Sequence, residues 1–403
     1  MARQVAVAAW KAVEAVAPAS EAAPRCRFGE GRAVSRFTLG TMRALEGAAV
    51  MGAVLEAALE AGINHIETAP AYGPAEVVLG QALAELAGRE PQRRADLVLT
   101  SKVLPGVGLA EGQQQLRACL ARLGVERLDN LAVHGINTPE QLAWSLEGDG
   151  AELLTWALAE GLVGQVGFSS HGPTDLIAAA LASGRFRFCS LHLHLFDPER
   201  LPLARRALAD GIGVMAISPA DKGGRLQDPA ELLRQDCAPF EPLELAYRVL
   251  LAEGISTLTL GAARPGDLAL AARLAGPGCG ADGVWLRPEH NEALERLRQA
   301  GEARLGASRC GQCRACLPCP NAVPIPALLR LRNLAVGHGM EAYASERYNL
   351  IGRAGSWWEQ LDASACASCG ACLPRCPHGL PIPELLADTH RRLAAAPRRR
   401  LWG

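Results

Sequence analysis

Eight of the chain's 13 cysteines fall between Cys310 and Cys376, within 403 residues, and no other feature constrains the fold as strongly. Cys26, Cys119, Cys189, Cys237 and Cys279 are scattered singly upstream. The first 25 residues are rich in Ala and Val, but Lys11 and Glu14 interrupt any apolar core. They read as a helical or disordered extension rather than a signal peptide, with organelle targeting as the alternative. A cytoplasmic location is therefore expected. A reducing compartment does not sustain structural disulfides, so the crowded cysteines read as metal ligands.

Their spacing names the metal. Cys366-Ala-Ser-Cys369-Gly-Ala-Cys372-Leu-Pro-Arg-Cys376-Pro377 is C-x2-C-x2-C-x3-C-P, the bacterial ferredoxin run, in which three cysteines grip one cubane and the fourth serves the other. Cys310-Gly-Gln-Cys313-Arg-Ala-Cys316-Leu-Pro-Cys319-Pro320 is one residue shorter before its last cysteine. The crossed rule assigns Cys310, Cys313, Cys316 and Cys376 to one [4Fe–4S] cluster, and Cys366, Cys369, Cys372 and Cys319 to the other. Both runs lead into similar segments, Val323-Pro-Ile-Pro326 and Leu380-Pro-Ile-Pro383, the mark of an internal duplication. Zinc ribbons also use C-x2-C pairs, and the short gap before Cys319 keeps one cluster beside a degenerate site as a further alternative.

Upstream, short apolar runs alternate with amphipathic stretches from Arg36 to about Leu274. Strands are expected at Phe37–Leu39, His65–Glu67, Leu97–Thr100, Asn130–Val133, Gln165–Phe168, Cys189–Leu193, Gly213–Ile217 and Thr257–Leu260. Eight strand-then-helix units close a parallel (β/α)8 TIM barrel. Cys26–Val34 reads as a hairpin plugging the barrel bottom. Pro288–Ala300 reads as one charged helix and Pro326–Arg353 as a helical spacer between the cysteine runs. The fold class is thus α/β, a barrel over residues 26–305, followed by a small, partly helical, ferredoxin-like iron–sulfur domain over 306–403. Lys plus Arg (41) balances Asp plus Glu (42), so no global field draws nucleic acid or membrane. No uninterrupted apolar stretch approaches the roughly 18–20 residues of a membrane span.

Three residues stand at expected strand ends with chemistry suited to proton transfer: Tyr72, Lys102 and His134. Loops after barrel strands converge on one mouth. There Lys102 is expected to lower the Tyr72 phenol pKa and make it a general acid, Glu67 to hold the lysine, and His134 to orient a carbonyl. His192 and His194 alternate with leucines and share one face, either as an inward polar layer or in a substrate or metal role.

Gly62-Ile-Asn-His-Ile-Glu67-Thr-Ala-Pro-Ala-Tyr72-Gly73, with Glu76 and Leu79-Gly80, resembles the signature of the aldo/keto reductases. Thr100-Ser-Lys102 and Leu128-Asp-Asn-Leu-Ala-Val-His134 follow in that family's order. The resemblance extends over about residues 26–305, and the cysteine runs place the chain near a branch with a C-terminal ferredoxin domain, within a cyanobacterial-type group. It implies Tyr72 as proton donor, Lys102 as its partner, His134 as substrate orienter and Glu67 as counter-ion. It also implies NADP(H), with Ser169, Ser170 and Ser190 near the nicotinamide, Ser218, Lys222 and Gly223 in the phosphate loop, and Arg264 on the adenosine phosphate. The chain departs from the family by carrying Glu67 for Asp, Ser190 for an amide and Ile217 for a stacking Tyr. One added methylene moves a carboxylate by roughly 1.5 Å, and misplacement by about 1 Å can cost on the order of a hundredfold in rate.

The expected protein is an oxidoreductase acting on a small carbonyl-type molecule, linked to NADPH, a ferredoxin-like electron partner, or both. Nicotinamides move electron pairs and cubanes single electrons. A flavin would normally mediate, yet no motif demands one. The departures support a second reading, a barrel without turnover that serves as an electron-transfer or redox-sensing scaffold.

Overall fold

The computed structural model describes residues 25–220, 224–276, 279–280, 282–354 and 359–395. The extension before Arg25, Lys222 and Gly223 of the expected phosphate loop, and the basic tail from residue 396 lie outside the described residues.

Strands β1 (Arg25–Cys26) and β2 (Val34–Ser35) pair antiparallel as the expected hairpin. Eight parallel strands then close a barrel: β3 (Phe37–Gly40), β4 (His65–Glu67), β5 (Val98–Val103), β6 (Leu128–His134), β7 (Val163–Ser170), β8 (Phe188–Leu191), β9 (Gly213–Ala216) and β10 (Thr257–Gly261). β10 pairs with β3 to seal it. All but a few strand positions are buried, as required where helices cover the outside and side chains fill the inside. Helices Ala48–Glu60, Ala75–Arg89, Leu109–Leu123 and Gly148–Ala159 belong to the outer ring, their apolar faces joining one core with the strands. Phe28, fully buried, caps the bottom among Val98, Ala132, Phe188 and Met215.

A hydrogen-bonded polar belt crosses the barrel interior beneath the mouth. Gln165 Nε2 donates to Asn130 Oδ1 (2.7 Å) and to the Phe28 carbonyl (2.9 Å), and Asn130 Nδ2 donates to Thr100 Oγ1 (2.9 Å). Thr100 Oγ1 also shares a hydrogen bond with His65 Nε2 at 2.7 Å. His65 Nδ1 shares a hydrogen bond with Thr38 Oγ1 (2.7 Å), and Thr38 Oγ1 shares another with Thr257 Oγ1 (2.7 Å). Six adjacent strands are thereby tied together. Burial pushes the His65 pKa down to about 3.

Beyond the barrel, helix Pro288–Leu305 leads to the first cysteine run. Helices Ile325–His338, Glu341–Tyr348 and Ile382–Leu393 follow. The expected single spacer is thus two helices, because Gly339 takes the left-handed conformation (φ 66°) that ends the first. Leu328, Leu329, Tyr343 and Leu386 share one apolar core with Leu226, with Leu233 on helix Glu231–Cys237 and with Leu245 on helix Pro242–Ala252. Among the described residues no helix is long and apolar enough to cross a membrane.

Folded His65 titrates near 3 and an unfolded histidine near ~6.5, so the unfolded chain takes up the proton first. The associated stability is complete above pH ~6.5 and falls as pH drops toward 3. His65→Gln should lower stability at pH 7 yet weaken its decline between pH 7 and 5, read as urea midpoints. An unchanged pH slope would contradict the neutral belt.

Candidate active site and cysteine-lined cavities

Glu67 ends β4, Lys102 lies within β5 and His134 ends β6. The latter two were expected just past their strands; both strands run further than their apolar cores indicate. Parallel register places Glu67 beside Thr100, Lys102 beside Ala132 and His134 beside Ser169. Tyr72 reaches the group from the loop after β4, in a turn closed by its N–H on the Ala69 carbonyl (3.0 Å).

Lys102 and Glu67 form an ion pair with 4% and 3% of their surfaces exposed. Lys102 Nζ also donates to Tyr72 OH (2.8 Å) and to the Thr68 carbonyl (3.0 Å). Because Tyr72 accepts from the lysine, its own hydroxyl proton is free to donate. It does so to Glu67 Oε1 at 3.2 Å. The His134 ring stands edge-on to Tyr72, centroids 5.7 Å apart, and its buried Nδ1 has no hydrogen-bond partner. Burial, helped by Lys102, pushes the His134 pKa down to about 3, so the ring is neutral.

One expectation is corrected. Lysine proximity was to lower the Tyr72 pKa, whereas burial raises it. Glu67 compensates the lysine charge, and burial itself pulls Lys102 well below its ordinary value. Tyr72 is therefore a phenol held firmly in its proton-bearing form.

The expected nicotinamide residues separate into two groups. Ser169 Oγ accepts from Gly135 N–H (3.1 Å), and Ser170 Oγ donates to the Ile136 carbonyl (2.6 Å), so both hold the loop after β6. Ser190 Oγ is fully buried with no partner, the orphaned group expected where a ligand amide could seat. Ser218 follows β9 with φ 51°. The Arg264 side chain is 83% exposed and pairs with Asp267 at 3.2 Å.

His192 and His194 are joined by His171, a residue not singled out in the sequence although it directly follows Ser169-Ser170. His192 Nε2 lies 3.2 Å from His171 Nε2, and His192 Nδ1 lies 3.3 Å from His194 Nε2. The contacts use opposite nitrogens of one ring, so a single ion cannot take all three histidines in this arrangement. The geometry is that of a hydrogen-bonded chain. Glu76, noted only as part of a motif, is 1% exposed and accepts from Ser101 Oγ (2.7 Å), Cys119 Sγ (3.0 Å) and Arg122 Nε (2.7 Å), fastening its helix to β5 and the next helix.

In the C-terminal region the thiols sort as the crossed rule expects. Cys310, Cys313, Cys316 and Cys376 line one cavity. Cys319, Cys366, Cys369 and Cys372 line another. Gln312, Arg314 and Ser368 adopt left-handed backbone between the thiols (φ 57°, 62° and 52°), curling each run around its cavity. All eight are free cysteines. Four thiols about one space are the donor set of a cubane.

Comparison with known proteins agrees with both halves. The aldo/keto reductase family description matches residues 38–236, and the 4Fe-4S dicluster domain description matches residues 309–380. A 6-dehydroglucose reductase of Novosphingobium aromaticivorans is 32% identical over 223 residues, 49% of this chain and 69% of the relative. An aldo-keto reductase of Mycolicibacterium vanbaalenii is 30% identical over 201 residues, 48% of this chain and 66% of the relative. The chloroplastic pyridoxal reductase of Arabidopsis thaliana is 28% identical over 228 residues, 51% of this chain and 58% of the relative. Among solved structures, the holo form of an aldo-keto reductase from Bacillus halodurans aligns with a TM-score of 0.56 at 20% identity, covering 68% of this chain and 95% of its own, a likeness of fold. The chain belongs to the aldo/keto reductase family and carries a 4Fe-4S dicluster domain after the barrel.

Removing one member of a buried ion pair strands the other charge and costs about 3–5 kcal/mol. Lys102→Met should therefore destabilise the barrel by that order in urea unfolding. The double variant Lys102→Met/Glu67→Gln should lose clearly less than the two single variants summed. Simple additivity would show that the pair is not coupled.

Proposed function

We propose that the protein is an iron–sulfur oxidoreductase that reduces or oxidises a small polar carbonyl compound in the barrel mouth, with Tyr72 as its proton donor. The observation that carries this reading is the buried Tyr72–Lys102–Glu67 group beside neutral His134. The names of two relatives, 6-dehydroglucose reductase and pyridoxal reductase, support carbonyl reduction as the direction.

The residues divide the work as follows. A carbonyl oxygen placed between Tyr72 and His134 receives an N–H from the imidazole, which holds it in line. The Tyr72 proton turns from its long 3.2 Å contact with Glu67 toward that oxygen as charge grows there. The Lys102 ammonium, already donating to the phenol oxygen, stabilises the phenolate left behind. The carboxylate keeps the ammonium in place, so Glu67 is a positioning residue. NADP(H), when bound, supplies or accepts the hydride. Ser190 is the buried polar group best placed for its carboxamide, with Ser218, Lys222, Gly223 and Arg264 on its phosphates and Ser169 and Ser170 shaping the loop alongside.

The eight C-terminal cysteines hold two [4Fe–4S] clusters in crossed tetrads, which supply one-electron exchange when loaded, in a domain beginning at about residue 306. A ferredoxin-like protein is the proposed electron partner. The departures at Glu67, Ser190 and Ile217 support the second reading, a barrel without turnover that serves electron transfer or redox sensing.

Anaerobic purification with iron and sulfide analysis should give about eight of each per chain. Tyr72→Phe should lower NADPH-dependent reduction of aldehydes about 10²–10⁴-fold with unchanged iron content. Wild-type turnover matched by the variant would remove Tyr72 from its role, and absence of any turnover would favour the second reading.

A further inference from the structure

The two cysteine runs repeat one another in backbone but not in side chain. Cys310-Gly311-Gln312-Cys313 and Cys366-Ala367-Ser368-Cys369 have the same spacing. Gln312 and Ser368 hold equivalent stations, both with left-handed backbone (φ 57° and 52°), and the next turn repeats as well, Arg314 with Gly370 (φ 62° and 73°). Residues other than glycine rarely adopt that conformation, so its recurrence in both runs marks turns that the thiol arrangement demands.

The side chains on these turns face different surroundings. Ser368 is exposed. Gln312 Nε2 is buried, and among the described residues it has no hydrogen-bond partner. Arg314, on the far side of Cys313, is committed to the Glu199 carboxylate in the loop after β8. A buried N–H donor without an acceptor is costly, and each such group in a folded protein calls for an explanation. Sulfur supplies one. Burial pushes the Cys310 thiol pKa up, and Gln312 works against it, more through its backbone N–H than through its side chain. The side chain thus stands within reach of Cys310 without completing a bond to it. A thiol sulfur is a weak acceptor, whereas a thiolate on iron carries negative charge and accepts more strongly.

We propose that the Gln312 side-chain amide donates a hydrogen bond to the sulfurs of the cluster held by Cys310, Cys313, Cys316 and Cys376, with Cys310 Sγ as first acceptor, and that the second cluster has no counterpart at Ser368. This rests on the two-cluster reading above and adds an inequality between the two clusters. Reduction of a cubane adds one electron and no atoms. The added negative charge is shared with the sulfurs, so a donor to them favours the reduced form and raises the potential. Gln312 makes that contribution to the first cluster only.

The test is a redox titration of the cluster-loaded full chain with EPR detection, comparing wild type with Gln312→Met, which keeps the length of the side chain and removes the amide. One midpoint should fall, lowering the reduced-to-oxidised ratio of that cluster at fixed potential roughly tenfold, about 59 mV for one electron; the other midpoint stays fixed. In a Cys372→Ser background, which alters the signal of the second tetrad, the shift should persist. A midpoint also moves when water enters, so the bond itself is read separately. Reduced wild type labelled with nitrogen-15 at its glutamine side-chain amides should show, by pulsed EPR, a nitrogen coupled to the first cluster and a coupled proton that exchanges in deuterium oxide. Both signals should vanish in Gln312→Met. Should that variant fail to load its clusters, Gln312→Leu carries the comparison, and the wild-type couplings stand without either. Absence of the couplings, absence of the shift, or a shift of the second cluster overturns the proposal. Iron and sulfide counts separate the two failures. Fewer than about eight irons in wild type overturns the two-cluster reading and this inference with it, whereas a full count without the couplings overturns the inference alone.

Discussion

Two thiols change sides. Cys376 closes the cavity opened by Cys310, Cys313 and Cys316, and Cys319 closes the cavity of the second run. The two runs therefore cannot part without opening both cavities, and the helices between and after them are drawn into one unit. The remaining support comes from the barrel, since Leu328, Leu329 and Leu386 share a core with Leu226, Leu233 and Leu245. Module and barrel are built as one body.

That construction gives the mouth two neighbours of different character. On one side stands the buried Glu67–Lys102–Tyr72 group, with His134 edge-on. On the other lies the His194–Arg200 loop, gripped from outside by Arg314 and Arg330. Beneath both, the polar belt from Thr257 to Gln165 fixes the strands that carry the catalytic candidates, and a neutral His65 is its hinge. The catalytic candidates and the loop that touches the cysteine-lined module thus stand at one rim, held by paired charges and by burial.

Much of this was legible in the sequence, for identifiable reasons. Cysteine spacing carries the demands of a fixed inorganic core, so two sets of four thiols could be read residue by residue, and the same sets line the two cavities. Apolar runs located all eight barrel strands, although β5, β6 and β7 extend beyond the stretches first marked, because the barrel also buries Ser101, Lys102 and Ser170. The helix Pro139–Leu146 was missed even though Thr138 and Gln141 form a capping box at its start; it is an extra helix between regular barrel units, outside the alternation being counted. The His171–His192–His194 chain and the direction of the Tyr72 pKa depend on which side chains face inward together. A linear pattern does not carry that information.

The central claim is the crossing itself, and paired cysteine substitutions test it most directly. In anaerobically isolated protein, Cys316→Ser with Cys376→Ser strikes one tetrad and should remove about four irons, while Cys316→Ser with Cys319→Ser strikes both and should remove about eight. The reverse pattern, with Cys316 and Cys319 acting as one set, would contradict the account.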